Sequence, residues 1–363
     1  MATTHPAVLD AQVSEPDLPG SGDIGWKWMA GSLAVLAGAV LLGVALGPVS
    51  LPLSTTIQEL LSRVPGLHVS SPLSATDSAI VWQIRVPRVI LGGLVGAMLA
   101  LAGATYQAVF RNPLADPYLL GTASGAELGA TLAIAYAPAH TILGANVVQV
   151  SAFIGATAAV AATYLLGSSV GMGRSPAALI LAGVAIASLV TAVETWVQQT
   201  QSATLRQVFS WILGRLGTAG WSGVELVLPY VIVCAGIIIA HRRVLDVMVL
   251  GDDEASSLGV SVTRTRLILI AAATIGTAAV ISVAGTIGFV GIIVPHTIRL
   301  MRGGSYRVII PLSVILGAAL LIVADLVART IVAPAELPIG VITALLGAPF
   351  FLFILRRSRT VIA

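Results

Sequence analysis

Few side chains in this sequence can do chemistry, and they come in pairs and short clusters. Arg85 and Arg88 stand three apart in QIRVPR, and arginine grips carboxylates bidentately. A pair of arginines snorkelling to lipid headgroups fits the same letters, so docking of an acidic partner and simple anchoring both stand. Asp325 and Arg329 in DLVART share one helix face at i and i+4, an ion pair that stabilises by a few tenths of a kcal/mol and still lets Arg329 offer charge outward. GDDEASSLGV, residues 251–260, puts its acids first, its apolar residues later and glycines at Gly251 and Gly259. That pattern predicts a short surface helix with a glycine cap. With Ala255 and Leu258 facing the same way as Val262, it would offer a small apolar face to a partner's groove.

Other chemistries are poorly supported. His296 stands alone in GTIGFVGIIVPHTIR, and a lone histidine is a poor metal site. Cys234 is the only cysteine, so no internal disulfide forms. Lys27, the only lysine, sits in GWKWM, whereas a phosphate-cradling loop needs Gly-Lys-Ser/Thr. If ATP drives the function, another subunit binds it. Glu127 and Glu194 lie within apolar runs, where ionisable residues are functional candidates by default, but two isolated acids make a weak proton relay.

The elements that must position these residues are membrane spans. The chain has 363 residues, 57% hydrophobic and 10% charged, against about 25% charged in a soluble domain. Its mean hydropathy is +0.98. The net charge of +3 is scattered, which argues against nucleic acid as a partner. Ten apolar runs follow one another, at about 28–48, 89–109, 118–137, 147–166, 177–195, 221–240, 267–284, 287–301, 308–328 and 338–355. The eighth, interrupted by Gly285, Gly288, Gly291 and Pro295, predicts a broken or short helix, tolerated where protein covers it. Residues 1–25 read as a disordered polar tail and 26–363 as the membrane domain. A polar loop at 49–84 holds a possible amphipathic helix near Thr56–Arg63. RNPLADPYLLG, residues 111–121, reads as a tight turn in which Asp116 could cap a helix started by Pro117.

The stretch His241–Arg266 carries so many charges that it must face water. With the tail inside, thirteen basic residues face the cytoplasm and six face out, as the positive-inside rule favours. Both termini and the 241–266 island are then cytoplasmic. The second to fifth and seventh to tenth spans are offset by an odd number, so any repeat between those blocks is inverted.

RVPR (85–88), RNPLADPYLLG (111–121), LGDDEASSLGV (250–260), GTIGFVGIIVPHTIR (285–299) and DLVART with ELPIGVITALLGAPFF (325–351) together resemble the FecCD family. These are the permease subunits of ABC importers for iron chelates and vitamin B12, and the resemblance covers about residues 80–357. It implies an all-α polytopic protein of about ten helices with inverted-repeat organisation, in a bacterial or archaeal cytoplasmic membrane. It further implies a homodimer or pseudo-dimer with a central pathway lined partly by residues 177–195. Two ATPase subunits using ATP-Mg would bind from inside, and an extracytoplasmic binding protein would deliver the ligand. This chain itself would bind no cofactor or metal and catalyse nothing. The family's docking arginines carry over to Arg85, Arg88 and Arg329. Its coupling helices fall on the segment holding Gly251, Asp252, Glu254, Ala255, Leu258 and Gly259. Glu127 stands where a small or apolar residue is expected. Siderophore, haem and cobalamin all remain open as cargo. A stand-alone ion-coupled secondary transporter is the main alternative, with Glu127 as its candidate coupling site. An intramembrane enzyme would need a nucleophile or metal cluster that a lone His296 does not supply.

Overall fold

The computed structural model of the chain describes residues 24–49, 51–63, 66, 70–137, 141–142, 145–169 and 176–359. The expected tail, up to residue 23, lies outside them. In order come α1 (Trp26–Ala45), α2 (Leu53–Ser62) and α3 (Ala75–Ala79), then a π-helical turn (Ile80–Arg85) running into α4 (Val86–Val109). After α5 (Thr122–Tyr136), a hairpin of two-residue strands, β1 (Thr141–Ile142) and β2 (Ala145–Asn146), leads to α6 (Val147–Ser169) and α7 (Pro176–Thr200). Then follow α8 (Leu205–Ile212), α9 (Gly220–Ala240), α10 (Arg242–Met248), α11 (Asp252–Ser257) and α12 (Val262–Ala284). The chain ends with α13 (Val290–Arg302), α14 (Tyr306–Thr330) and α15 (Ile339–Arg359).

Seven helical runs among the described residues are long and apolar enough to cross a bilayer. The remaining expected spans are the shorter α5 and α13, and α15, whose apolar part is Ile339–Ile354, so each of the ten apolar runs is a helix. This is an all-α multi-pass membrane protein. The two ends of the bundle are called outer and inner here, after the arginine bias.

The core is built around α4 and α12, whose apolar windows are 83% and 78% buried, against 28% for α1 and 22% for α7. Glycine lets α4 meet its neighbours backbone to backbone. A Cβ on Gly96 would stand 2.2 Å from the carbonyl oxygen of Gly317 on α14, and one on Gly103 would stand 2.0 Å from that of Gly291 on α13. Lipid gives little hydrophobic drive between helices, so such close packing carries the association. The hydroxyls of Tyr106 and Thr274, 2.8 Å apart, bridge α4 and α12.

The eighth span is the short helix expected, α13, which runs unbroken through Pro295 after a non-helical stretch at 285–289 whose backbone is satisfied by side chains. Gly285 and Phe289 adopt positive φ of 75° and 69°. The Tyr118 hydroxyl donates to the Ile287 carbonyl at 2.9 Å and accepts from the Ile287 N–H at 3.1 Å. Pro295 has no N–H for the carbonyl four residues earlier, and that Gly291 oxygen instead accepts from Gln107 Nε2 at 3.2 Å. Irregular backbone at membrane depth is tolerated on this condition.

One further sequence expectation holds and another needs correction. The helix expected near Thr56–Arg63 is α2, and its Glu59 gathers described residues of the 49–84 loop. Glu59 is buried and accepts from Ser78 Oγ at 2.7 Å, from Trp82 Nε1 at 2.8 Å and from Ser71 Oγ. Burial pushes its carboxyl up, but these hydrogen bonds and the Arg63 charge outweigh that and hold it below the ordinary glutamate value. Asp116 does not cap a helix started at Pro117. It accepts from the Tyr118 N–H at 2.8 Å in a local turn, and α5 begins only at Thr122, after Gly121 at φ 83°.

Candidate functional site

Two polar constellations lie at opposite ends of the bundle. At the outer end, the arginines read from the sequence converge on buried partners. Arg85, Arg88 and Arg329 are only 3%, 8% and 2% exposed. Arg85 donates to the carbonyls of Val44 at 3.0 Å, Ala45 at 2.6 Å and Val49, closing the C-terminal end of α1, where carbonyls lack helical partners. Arg329 pairs with Asp325 at 3.5 Å and donates to the Gly43 carbonyl. Arg88 grips Asp325 through Nε at 3.0 Å and Nη2 at 2.9 Å, and Glu336 through Nη1 at 2.9 Å and Nη2 at 3.1 Å.

Arg329 therefore does not offer its charge outward, and the Asp325–Arg329 pair is one edge of a larger network. Sequence reading missed Glu336, whose side chain is 44% exposed and is the most open member. The ELP that follows DLVART was on the page, but its pairing with a residue 248 positions away was not. Nor was the use of arginines to hold α1. At its inner end α1 is held similarly, with Arg302 donating to the Ile24 carbonyl at 3.3 Å and stacking over Trp28 at 5.4 Å.

At the inner end, α11 forms where the acidic start and glycine punctuation place it. Gly251 opens it at φ 146° and Gly259 closes it at φ 83°. A Cβ at Gly251 would fall 1.9 Å from Glu254 Oε2. Asp252 is a tether as well as an exposed acid. It accepts from Arg111 at 3.1 Å and from Arg266 at 2.8 and 2.9 Å, joining α11 to the end of α4 and to α12. The shared face expected of Ala255, Leu258 and Val262 is not formed. Ala255 and Val262 are buried in this chain while Leu258, just past the last residue of α11, is 64% exposed. Asp246 on α10 steadies the same end, accepting from Ser305 Oγ at 3.1 Å and pairing with Arg307 at 3.3 Å.

The in-span acids are not isolated. Glu194 accepts from Thr131 Oγ1 at 3.2 Å and from Gln198 Nε2 at 2.8 Å. Glu127 lies close to Thr286, whose hydroxyl donates to the Ile212 carbonyl at 2.6 Å. His296 lies edge-on to Phe350, with centroids 6.1 Å apart. Among the described residues no cluster of three or more metal-ligating side chains occurs.

Known proteins resemble this chain in sequence and in fold. The model of the FecCD transport family matches residues 35–357. A cobalamin import system permease protein of Halobacterium salinarum is 44% identical over 282 residues, 77% of this chain and 74% of that one. A haemin transport system permease protein of Yersinia pestis is 42% identical over 286 residues, 77% of this chain and 84% of its own. Among solved structures, a metal-chelate-type ABC transporter in an inward-facing conformation superimposes with a TM-score of 0.76 at 26% identity, covering 91% of this chain and 99% of the other. The family match runs from the middle of α1 to the end of α15 and takes in both constellations: the chain belongs to the FecCD transport family.

Proposed function

We propose that this chain is the permease subunit of a binding-protein-dependent ABC importer, moving an iron chelate, haem or cobalamin by ATP-driven alternating access. The observation that carries the reading is the α11 tip. A short helix exposes Leu258 beyond the bundle while Asp252 ties its base to α4 and α12. A push on such a tip reaches the core helices, which a solvated loop would not transmit. A groove of about 500 Å³ beside it, lined by Tyr164, Ser256, Arg264 and Leu267 among others, supports a partner bound at this end. The partner is an ATPase subunit. ATP-Mg belongs there, since Lys27 lies outside any Gly-Lys-Ser/Thr sequence.

A second permease copy covers α7, whose Leu181, Leu189 and Trp196 are 71%, 62% and 66% exposed among the described residues. The binding protein docks at the outer end, over the network of Arg85, Arg88 and Arg329. Those guanidiniums are engaged internally, so an acidic side chain of the binding protein meets Arg88 by taking the place of the half-exposed Glu336. Alternating access is a bistable rearrangement of packed helices, biased by the binding protein's unequal affinity for the two states.

The test is co-expression with the neighbouring genes and purification in detergent. An ATPase subunit co-purifies with the wild-type chain and is lost with Leu258→Asp, while the variant still inserts in the membrane. A chain that purifies alone and transports when reconstituted by itself would overturn the reading in favour of ion coupling.

A further inference from the structure

Between α8 and α9 the linker is held unusually firmly for a surface segment. The Arg215 N–H donates to the Ala284 carbonyl at 2.8 Å, Gly340 N–H to the Leu213 carbonyl at 3.1 Å, and Gly214 turns at φ 77°. On this fixed backbone Arg215 has an exposed side chain that makes no ion pair among the described residues. It lines an outer-end cavity of about 290 Å³ with Asn146, Gln149, Gln207, Trp211 and Thr218, and no carboxylate is among the lining residues described.

The hydrogen bonding of two of the three lining amides, Asn146 and Gln149, biases this cavity toward donors. Asn146 Oδ1 accepts from the Val148 N–H at 2.7 Å, and Gln149 Oε1 accepts from the Asn146 N–H at 3.0 Å. A backbone N–H can only donate, so the acceptor in each case is the amide oxygen. Both amide NH₂ groups are left over as donors. With the guanidinium, the Trp211 indole N–H and the Thr218 hydroxyl, the lining can surround an oxyanion.

Next to it is a second cavity of about 210 Å³, which shares Gln149 and Ser282 in its wall and is otherwise lined by Phe153, Leu226, Tyr230 and Ala279, among other small or apolar residues. Phe153 and Tyr230 stand 5.5 Å apart. Past it, the flanks of α6 and α9 expose Ile154, Ile232 and Val233, the kind of surface hydrocarbon covers.

We propose that the paired cavities bind an amphiphile: a phosphate or carboxylate head at Arg215, Asn146 and Gln149, with its apolar body along Phe153, Leu226 and Tyr230. Two sources carry that chemistry, an anionic phospholipid of the outer leaflet and an anionic cargo chelate. The site itself does not depend on the importer reading; its assignment to cargo does.

Native mass spectrometry of the detergent-purified full chain tests it, with dioleoylphosphatidylglycerol and zwitterionic dioleoylphosphatidylcholine as probes. The wild type holds the anionic lipid in preference. Arg215→Gln weakens retention about tenfold or more, as expected for loss of a charge-assisted contact. Arg215→Lys keeps most of it, and Arg206→Gln, outside the lining, changes nothing. A matching elution profile for each variant shows that the fold is intact. Retention unmoved by added haemin assigns the site to lipid, and displacement by haemin assigns it to cargo. Equal retention of both lipids, or equal retention by wild type and Arg215→Gln, would overturn the proposal.

Discussion

Asp325 is the residue on which the outer network turns, since it is the carboxylate shared by Arg88 and Arg329. Removing one partner of a buried pair leaves an uncompensated charge, a loss of about 3–5 kcal/mol. Asp325→Ala should therefore lower the thermal stability of the purified protein sharply. Glu336→Gln should cost about 1 kcal/mol or less, because its carboxylate is half exposed and screened. The same Glu336→Gln change frees one side of Arg88 and should tighten binding-protein docking in a pull-down. If the two variants melt alike, the network does not bear on Asp325 as described. An arginine pair near a proline is visible in the letters. Which carboxylate each guanidinium meets depends on how α4, α14 and the loop after α14 pack.

Among the elements, α11 couples the surface to the core through one side chain. Asp252→Asn keeps the size of the side chain and removes the charge that holds Arg111 and Arg266. Losing one or two kcal/mol of anchoring is a factor of roughly 5–30 in an equilibrium. Uptake per ATP hydrolysed should fall by about that factor in proteoliposomes carrying the assembled complex, while ATPase turnover continues. Unchanged uptake would make the Asp252 tether incidental. The helix itself was legible from its acids and glycines, including its limits at Gly251 and Gly259. The face it presents was not. Periodicity placed Ala255 and Leu258 together, but the helix has only six residues and Leu258 falls just past its last one.

At the scale of the molecule, the two ends carry separate chemistry, with Arg63, Glu59 and the Arg88 network at one and Asp246, Asp252 and Arg266 at the other. Which end faces the cytoplasm can be read directly. With buried Cys234 replaced, a cysteine at Ser256 should react with an impermeant maleimide only from inside, and one at Arg63 only from outside. The reverse labelling would invert the topology and move the ATPase and the binding protein to opposite faces.

Hydropathy by itself determined that this chain is a bundle of membrane helices, because a run of some twenty apolar residues has few other stable fates. Glycine and proline spacing also signalled that the eighth span is short, although Gly291 and Pro295 stay inside α13 and only 285–289 leaves the helix. Only the tertiary structure decided what satisfies the backbone freed there, through Tyr118 and Gln107, which are distant in sequence. It alone decided that Arg85 closes α1, that Glu59 meets Ser78 and Trp82, and that Arg88 reaches Glu336. Those are pairings between groups well separated in the chain, and nothing local to either partner encodes the other.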